Sequence, residues 1–194
     1  MAAPAVFYFD LASPLAYLAA ERILHVFSTP IQWEPVLAAE LPGGHALSAF
    51  RCEREEAVAR TEVERRAAAL GLQPLRWPQP CPCDSALAMR AATYAKSIGR
   101  VVPFAQAAFR QAFAGGHDLG REEVVLIAAA ACEMHPAAVL QGAATRAVRE
   151  RLADATARAA RLGVSEVPAV LADPGSAGER VLLGEEVLDL VVAA

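Results

Sequence analysis

A chain of 194 residues, 55% of them hydrophobic and only 6% aromatic, can bury roughly 70% of its unfolded surface and needs no disulfide staples. Its formal net charge of −4, with arginines interleaved among glutamates as in Arg51-Cys52-Glu53-Arg54-Glu55-Glu56, argues against a nucleic-acid partner and reads as a solvated helix face. No stretch reaches the ~20 uninterrupted apolar residues of a membrane span, and the opening "MAAPAVFYFD" meets an aspartate before any signal-peptide pattern develops, so a cytoplasmic protein is expected, with no membrane partner.

The first predicted strand is Ala5 to Phe9, a continuous apolar run of the buried type. It ends at Asp10, and "LASP" leads into a helix from about Pro14 to Phe27. Ser13 sits at the N-cap and Pro14 at the first helical position, where the missing N–H costs little. Asp10 is placed either to orient this turn or to end the strand in solvent. Ile31 to Val36, after Pro30, reads as a second strand, parallel to the first through the helical crossover.

From Leu41-Pro42-Gly43-Gly44 to about Leu162 helix formers dominate. Helices are predicted over Ser48 to Leu70, Ser85 to Gly99, Pro103 to Ala114, Arg121 to Glu133 and Ala143 to Leu162. Gly71, Gly99 and Gly163 stand where left-handed C-terminal caps belong, and Asp118-Leu119-Gly120 forms an entry turn. The run Val124 to Cys132, flanked by glutamates, is expected to be a buried helix. Strand language returns at "VSEVPAVLAD", Val164 to Asp173; the turn Pro174 to Gly178, the strand "RVLLG" and a closing helix from Glu185 to Val192 follow. The order is β-α-β, a long helical block, then β-β-α.

Four cysteines (Cys52, Cys81, Cys83, Cys132) show no C-x-x-C spacing, and the four histidines offer no H-x-x-x-H pair. Cys81-Pro82-Cys83 stands out, but one intervening residue is not the usual ligand spacing, so reduced thiols and no metal are expected.

Several segments together resemble a known family. "FYFDLASPLAYLA", "PCDSALAMRAATYA", "FAQAAFRQAFAGGHDLGREEVVLIAAAA" and "ARLGVSEVPAVLAD" are similar to corresponding lines of the 2-hydroxychromene-2-carboxylate isomerases and kappa-class glutathione transferases. The likeness spans nearly the whole chain, with a poor fit from Gly43 to Gly71. It implies an α/β, thioredoxin-like domain of DsbA type made of residues 1–40 and 163–194, with residues 41–162 as a large all-helical insertion domain. It also implies glutathione as cofactor, a small-molecule substrate, a cis Val167-Pro168 bond (the residues alone allow a trans proline at a strand start) and a homodimer.

In disulfide oxidoreductases of that fold the turn carries C-x-x-C, whereas here it reads Ser13-Pro14-Leu15-Ala16. Thiol–disulfide exchange needs both sulfurs, so the protein is not expected to be a thiol–disulfide oxidoreductase. A helix N-terminus still offers unpaired N–H groups and partial positive charge, and a serine O–H adds a donor, so a glutathione thiolate could be held there. Lowering a thiol pKa by two units takes about 2.7 kcal/mol of differential stabilisation, within reach of a dipole and a charge-assisted hydrogen bond. The plain alternative is that Ser13 only caps the helix, worth about 1 kcal/mol.

The resemblance extends the candidate binding set to Pro14, Asp84, Val167, Pro168, Glu185 and Glu186. The backbone of Val167 is expected to be exposed, so that glutathione can pair with it as an added strand. Three departures weaken the carry-over: Asp84 replaces an asparagine, and Glu186 and Val187 stand where the family has aspartate and arginine. Asp84 could be an N-cap, and Glu185 and Glu186 plain complements to a helix dipole. The implied activity is isomerisation of an aromatic-derived unsaturated 2-oxo acid, with Ser13 catalytic and Arg90 or Arg51 as guesses for the substrate carboxylate. A kappa-like glutathione transferase and a catalytically silent thioredoxin-like binding protein are the alternatives.

Overall fold

The computed structural model describes residues 3–27, 29–45, 50 and 52–193. Its sheet has four strands: β1 (Val6–Phe9), β2 (Gln32–Pro35), β3 (Ala169–Ala172) and β4 (Arg180–Leu183), in the order β2-β1-β3-β4. β1 pairs parallel with β2, Phe7 opposite Trp33, and antiparallel with β3, Phe7 opposite Val170. β3 and β4 form the expected antiparallel hairpin. Helix α1 (Pro14–Val26) makes the crossover from β1 to β2, and α8 (Gly184–Val192) closes the chain against it. This is the β-α-β…β-β-α plan expected of a thioredoxin-like domain with a helical insertion.

Among the described residues between β2 and β3 lie a 3-10 turn (Ala38–Glu40) and six helices: α2 (Glu53–Ala69), α3 (Ala86–Ser97), α4 (Val101–Phe113), α5 (Glu122–Ala130), α6 (Pro136–Ala144) and α7 (Arg146–Arg161). The predicted start at Ser48 falls, with Ala49 and Arg51, outside the described residues, and the described helix begins after Cys52. α4 begins two residues ahead of Pro103, which its first turn accommodates because those N–H groups have no intrahelical acceptor. Gly71, Gly99 and Gly163 take φ of 69°, 72° and 93°, the left-handed caps anticipated.

Three expectations are corrected. α6 was not predicted, and the helix expected from Ala143 begins at Arg146. Thr145 separates the two: its hydroxyl donates to Gly142 O at 2.8 Å and accepts from Val148 N at 3.3 Å. α5 is buried on one face only, through Val124, Val125, Ala128 and Ala129, while Ile127 is 52% exposed. The strand expected from Val164 is only Ala169–Ala172, because Val164 N donates back to Ala159 O and finishes α7.

Alternation along β1 distributes the core. Phe7 and Phe9 face one side, meeting Trp33 edge-on at 5.0 and 5.6 Å, and Phe9 lies 5.9 Å from Phe109 of α4. Tyr8 faces the other side, with Val36, Leu171, Val164 and Ala159. The first cluster also takes in α3, α4 and α5, so the sheet and the inserted helices share one apolar core.

Candidate functional site

Geometry at the end of β1 is set by a buried carboxylate. Asp10 is 1% exposed; its Oδ1 accepts from Ala12 N and its Oδ2 from Ala38 N, both at 2.9 Å. Ser13 N donates to Asp10 O at 3.0 Å, and Leu11 N to Met89 Sδ of α3 at 3.2 Å. Of the two readings of Asp10, the orienting one holds. The insertion buttresses the turn through Met89, and the 3-10 turn is tied to it through Ala38.

Ser13 is the N-cap of α1, its Oγ accepting from Ala16 N at 3.2 Å. The hydroxyl proton faces Val167 O at 3.4 Å, well beyond the ~2.7–2.8 Å usual for O–H···O, so this donor is poorly used. Pro14 has no N–H, Ala16 N is capped and Tyr17 N bonds Ser13 O; the Leu15 N–H meets no acceptor among the described residues. A serine only 5% exposed and a helix-terminal N–H without a described acceptor thus border one place.

That place is a slot lined by Ala12, Ser13, Pro14, Leu15, His45, Cys81, Pro82 and Val167. Counting its open mouth it spans about 310 Å³, but its interior is little wider than one water molecule. It admits a single atom such as a sulfur, so a larger ligand must lie across the mouth. Among the described residues no carboxylate lines it, which suits an anion.

The Val167-Pro168 bond is cis, as expected. The backbone there is more covered than expected: Val167 is buried, 2% exposed, and its carbonyl faces Ser13. Nearby, Gly43 N donates to Ser165 O at 2.7 Å and Gly184 N to Pro168 O at 2.9 Å. The loop bearing Gly43 and His45 therefore already uses part of the edge reserved for an added strand.

Ser13, Pro14 and Val167 meet at the slot, whereas Pro168, the next residue in the chain, and Asp84, Glu185 and Glu186 are not part of its lining. Asp84 is exposed, its Oδ1 accepting from Ala86 N at 2.9 Å beside Ser85, the N-cap of α3. Glu186 Oε2 accepts from Leu183 N at 3.1 Å in the first turn of α8, and Glu185 pairs with Arg66 of α2. Arg90 does not line the slot, and Arg51 lies outside the described residues.

Sequence reasoning missed His45, Cys81 and Pro82. The signal is the Cys81-Pro82-Cys83 string itself, whose spacing points to reduced thiols rather than a metal site and says nothing of the slot. Both Gln79-Pro80 and Cys81-Pro82 are cis, and all four cysteines are free thiols. Burial pushes the Cys81 thiol up from its ordinary range. Burial pushes Cys83 further, to about 11, against a hydrogen bond with the Leu119 backbone that lowers it. Neither is a thiolate near neutral pH.

The fold places the chain among known structures. It superposes on 2-hydroxychromene-2-carboxylate isomerase with a TM-score of 0.81 at 18% identity, covering 98% of this chain and 93% of that one. A probable DsbA oxidoreductase from Streptomyces coelicolor gives 0.75 at 17% identity, covering 98% and 87%. The cytosolic disulfide reductase DsbM from Pseudomonas aeruginosa gives 0.71 at 15% identity, covering 98% and 96%, and its structure with GSH gives 0.65 at 16% identity with the same coverage. These likenesses establish the fold alone. No curated protein matches. A family model for the DSBA-like thioredoxin domain matches residues 5–194, and the chain belongs to that family.

Proposed function

We propose that this protein is a glutathione-dependent isomerase of an aromatic-derived unsaturated 2-oxo acid, with Ser13 stabilising the glutathione thiolate. The observation that carries the reading is the pair of underused donors, Ser13 Oγ–H and Leu15 N–H, on residues lining a slot that has no carboxylate among the described residues. Two hydrogen bonds to an anion and the field of the α1 N-terminus favour a thiolate over a thiol. The slot's width suits the sulfur, while the peptide lies across the mouth beside cis-Pro168.

In the reaction, the thiolate adds to an electron-poor conjugated carbon of the substrate. The former double bond becomes single, rotation follows, and elimination restores the double bond and returns the thiolate to Ser13. The protein supplies orientation and electrostatic stabilisation and consumes no glutathione. Free thiols agree with a cytoplasmic setting, and a homodimer is compatible with the reading. The isomerase neighbour and the GSH-bound reductase of the same fold support the choice of chemistry.

Asp84, Glu185 and Glu186 being engaged away from the slot favours a second reading, a catalytically silent thioredoxin-like binder. Calorimetric titration with glutathione separates the two. Binding is expected for wild type, weakened about tenfold or more in Ser13→Ala, as for loss of one charge-assisted hydrogen bond of about 1.5–3 kcal/mol. No binding at millimolar glutathione gives the silent reading. Isomerisation without net loss of glutathione distinguishes the isomerase from a kappa-like transferase, which consumes it.

A further inference from the structure

We infer that the cavity between α3 and α7 binds a small acidic amino acid, a molecule with two carboxylates and one ammonium. The cavity holds about 330 Å³, within the range of small-ligand sites. Its charged lining is Glu34 of β2, Lys96 of α3, and Arg151, Asp154 and Arg158 of α7. None of these residues lines the Ser13 slot, so the inference stands apart from the proposed isomerase.

Helical spacing assembles the charges. Residues 151, 154 and 158 share one face of α7, and residues 93, 96 and 97 share one face of α3. Both helices pack on β2, whose Glu34 is only 8% exposed and is the most covered of the five charged groups. The lining's two hydroxyls are spent on their own helix: Thr93 donates to Met89 O at 2.9 Å and Ser97 to Tyr94 O at 2.6 Å.

Two independent observations point to a ligand. First, the ion pairs available within α7 are not made. Arg151 and Arg158 stand three and four residues from Asp154, the separations at which helix ion pairs form, and Arg146 pairs with Glu150 in this way at 2.6 Å. Arg151 nevertheless has no hydrogen bond or ion pair among the described residues, nor has Asp154, and Arg158 only approaches Glu34 at 4.0 Å. Second, the Glu34 carboxylate is half used. Gln32 Nε2 at 3.3 Å, Lys96 Nζ at 2.5 Å and Arg158 at 4.0 Å all reach Oε2, whereas Oε1 accepts no hydrogen bond among the described residues. A covered carboxylate oxygen normally has a donor, and here the cavity is left to supply it.

Charge then selects the ligand class. Three cations meet two carboxylates, an excess of one positive charge. Water would satisfy Oε1 but not that excess. A plain dicarboxylate would bring negative charge to Glu34 and Asp154 with no donor for either. An acidic amino acid carries one net negative charge and has a part for each group. Its carboxylates suit the guanidinium forks of Arg151 and Arg158, two turns apart on α7, and its ammonium suits Glu34 Oε1 and Asp154.

Calorimetry on the full-length chain checks this with three probes: L-glutamate, glutarate, which lacks the amine, and L-2-hydroxyglutarate, which replaces it with a hydroxyl. L-Glutamate is expected to bind about tenfold or more tighter than either, because only an ammonium brings charged donors to both carboxylates. Arg151→Gln should weaken L-glutamate binding about tenfold and leave the thermal midpoint unchanged, since Arg151 pairs with no described residue. No binding of L-glutamate at about 10 mM overturns the inference. Equal binding of either analogue overturns it too, as does binding that Arg151→Gln leaves intact. The three-probe comparison on the wild-type chain decides even where the variant fails to fold.

Discussion

Asp10 and Ser13 divide the work of building one turn. Asp10 takes two backbone N–H groups from different segments, and in a site this buried each would otherwise be an unsatisfied donor. Asp10→Ala is expected to cost about 2–6 kcal/mol in urea denaturation, since each of the two stranded N–H groups costs about 1–3 kcal/mol. Asp10→Asn keeps one acceptor oxygen and should fall between Ala and wild type; an Asn variant no better than Ala would show that the two acceptors are not what matters. In the sequence this aspartate could orient the turn or face solvent. What decides is Ala38 N, 28 residues downstream, arriving against it, which no local pattern encodes. Ser13 was legible because a cap and its proline are local chemistry. Cys81 was not, because only the packing of the insertion brings it to the slot.

At the scale of elements, the legible parts were those whose signals are short-range. The strand before Asp10, the capped first helix, the left-handed glycines and the final hairpin all announce themselves within a few residues. α6 escaped because it is one of two helices in a continuous helix-favouring stretch. The break between them is a single capping threonine rather than a glycine or proline. Gly142 shows why α6 must sit where it does: a Cβ there would lie 2.3 Å from Tyr94 Cδ2 of α3, so the ring packs directly on the helix backbone. Gly142→Ala gains about 1 kcal/mol of helix propensity but overpacks the contact at about 1–3 kcal/mol, for an expected net loss near 1 kcal/mol. In a Tyr94→Ala background the clash is gone and the same substitution should stabilise. A double-mutant cycle in thermal unfolding checks this; the same sign in both backgrounds would mean that the ring does not govern the spacing of α3 and α6.

Over the whole molecule, the question is whether the sheet and the inserted helices unfold together. The chain order suggests two parts, residues 1–40 with 163–194 and the block between. Apolar packing crosses that division: Phe9 of β1 meets Phe109 of α4, Tyr17 of α1 stacks on Phe113 at 5.6 Å, and Met89 of α3 supports the turn at Leu11. Polar links cross it as well, since Glu34 of β2 pairs with Lys96 of α3 at 2.5 Å, and Leu37 N donates to Thr156 Oγ1 of α7 at 3.0 Å. Neither part can open without exposing the rings of the other, and burial of a Phe side chain alone is worth about 1.5–3 kcal/mol. Thermal unfolding is therefore expected to be a single transition, with far-ultraviolet circular dichroism, which follows the helices, coinciding with Trp33 fluorescence, which follows the sheet. Trp77 also fluoresces, so the comparison is made in Trp77→Phe, which leaves Trp33 as the only indole in a chain of two. Phe109→Ala should lower both signals' midpoints together, at a cost of about 3–5 kcal/mol. A helical signal lost ahead of Trp33 fluorescence would mean that the insertion folds on its own, and that the slot, lined by Ser13 from one part and Cys81 from the other, lies between two units free to separate.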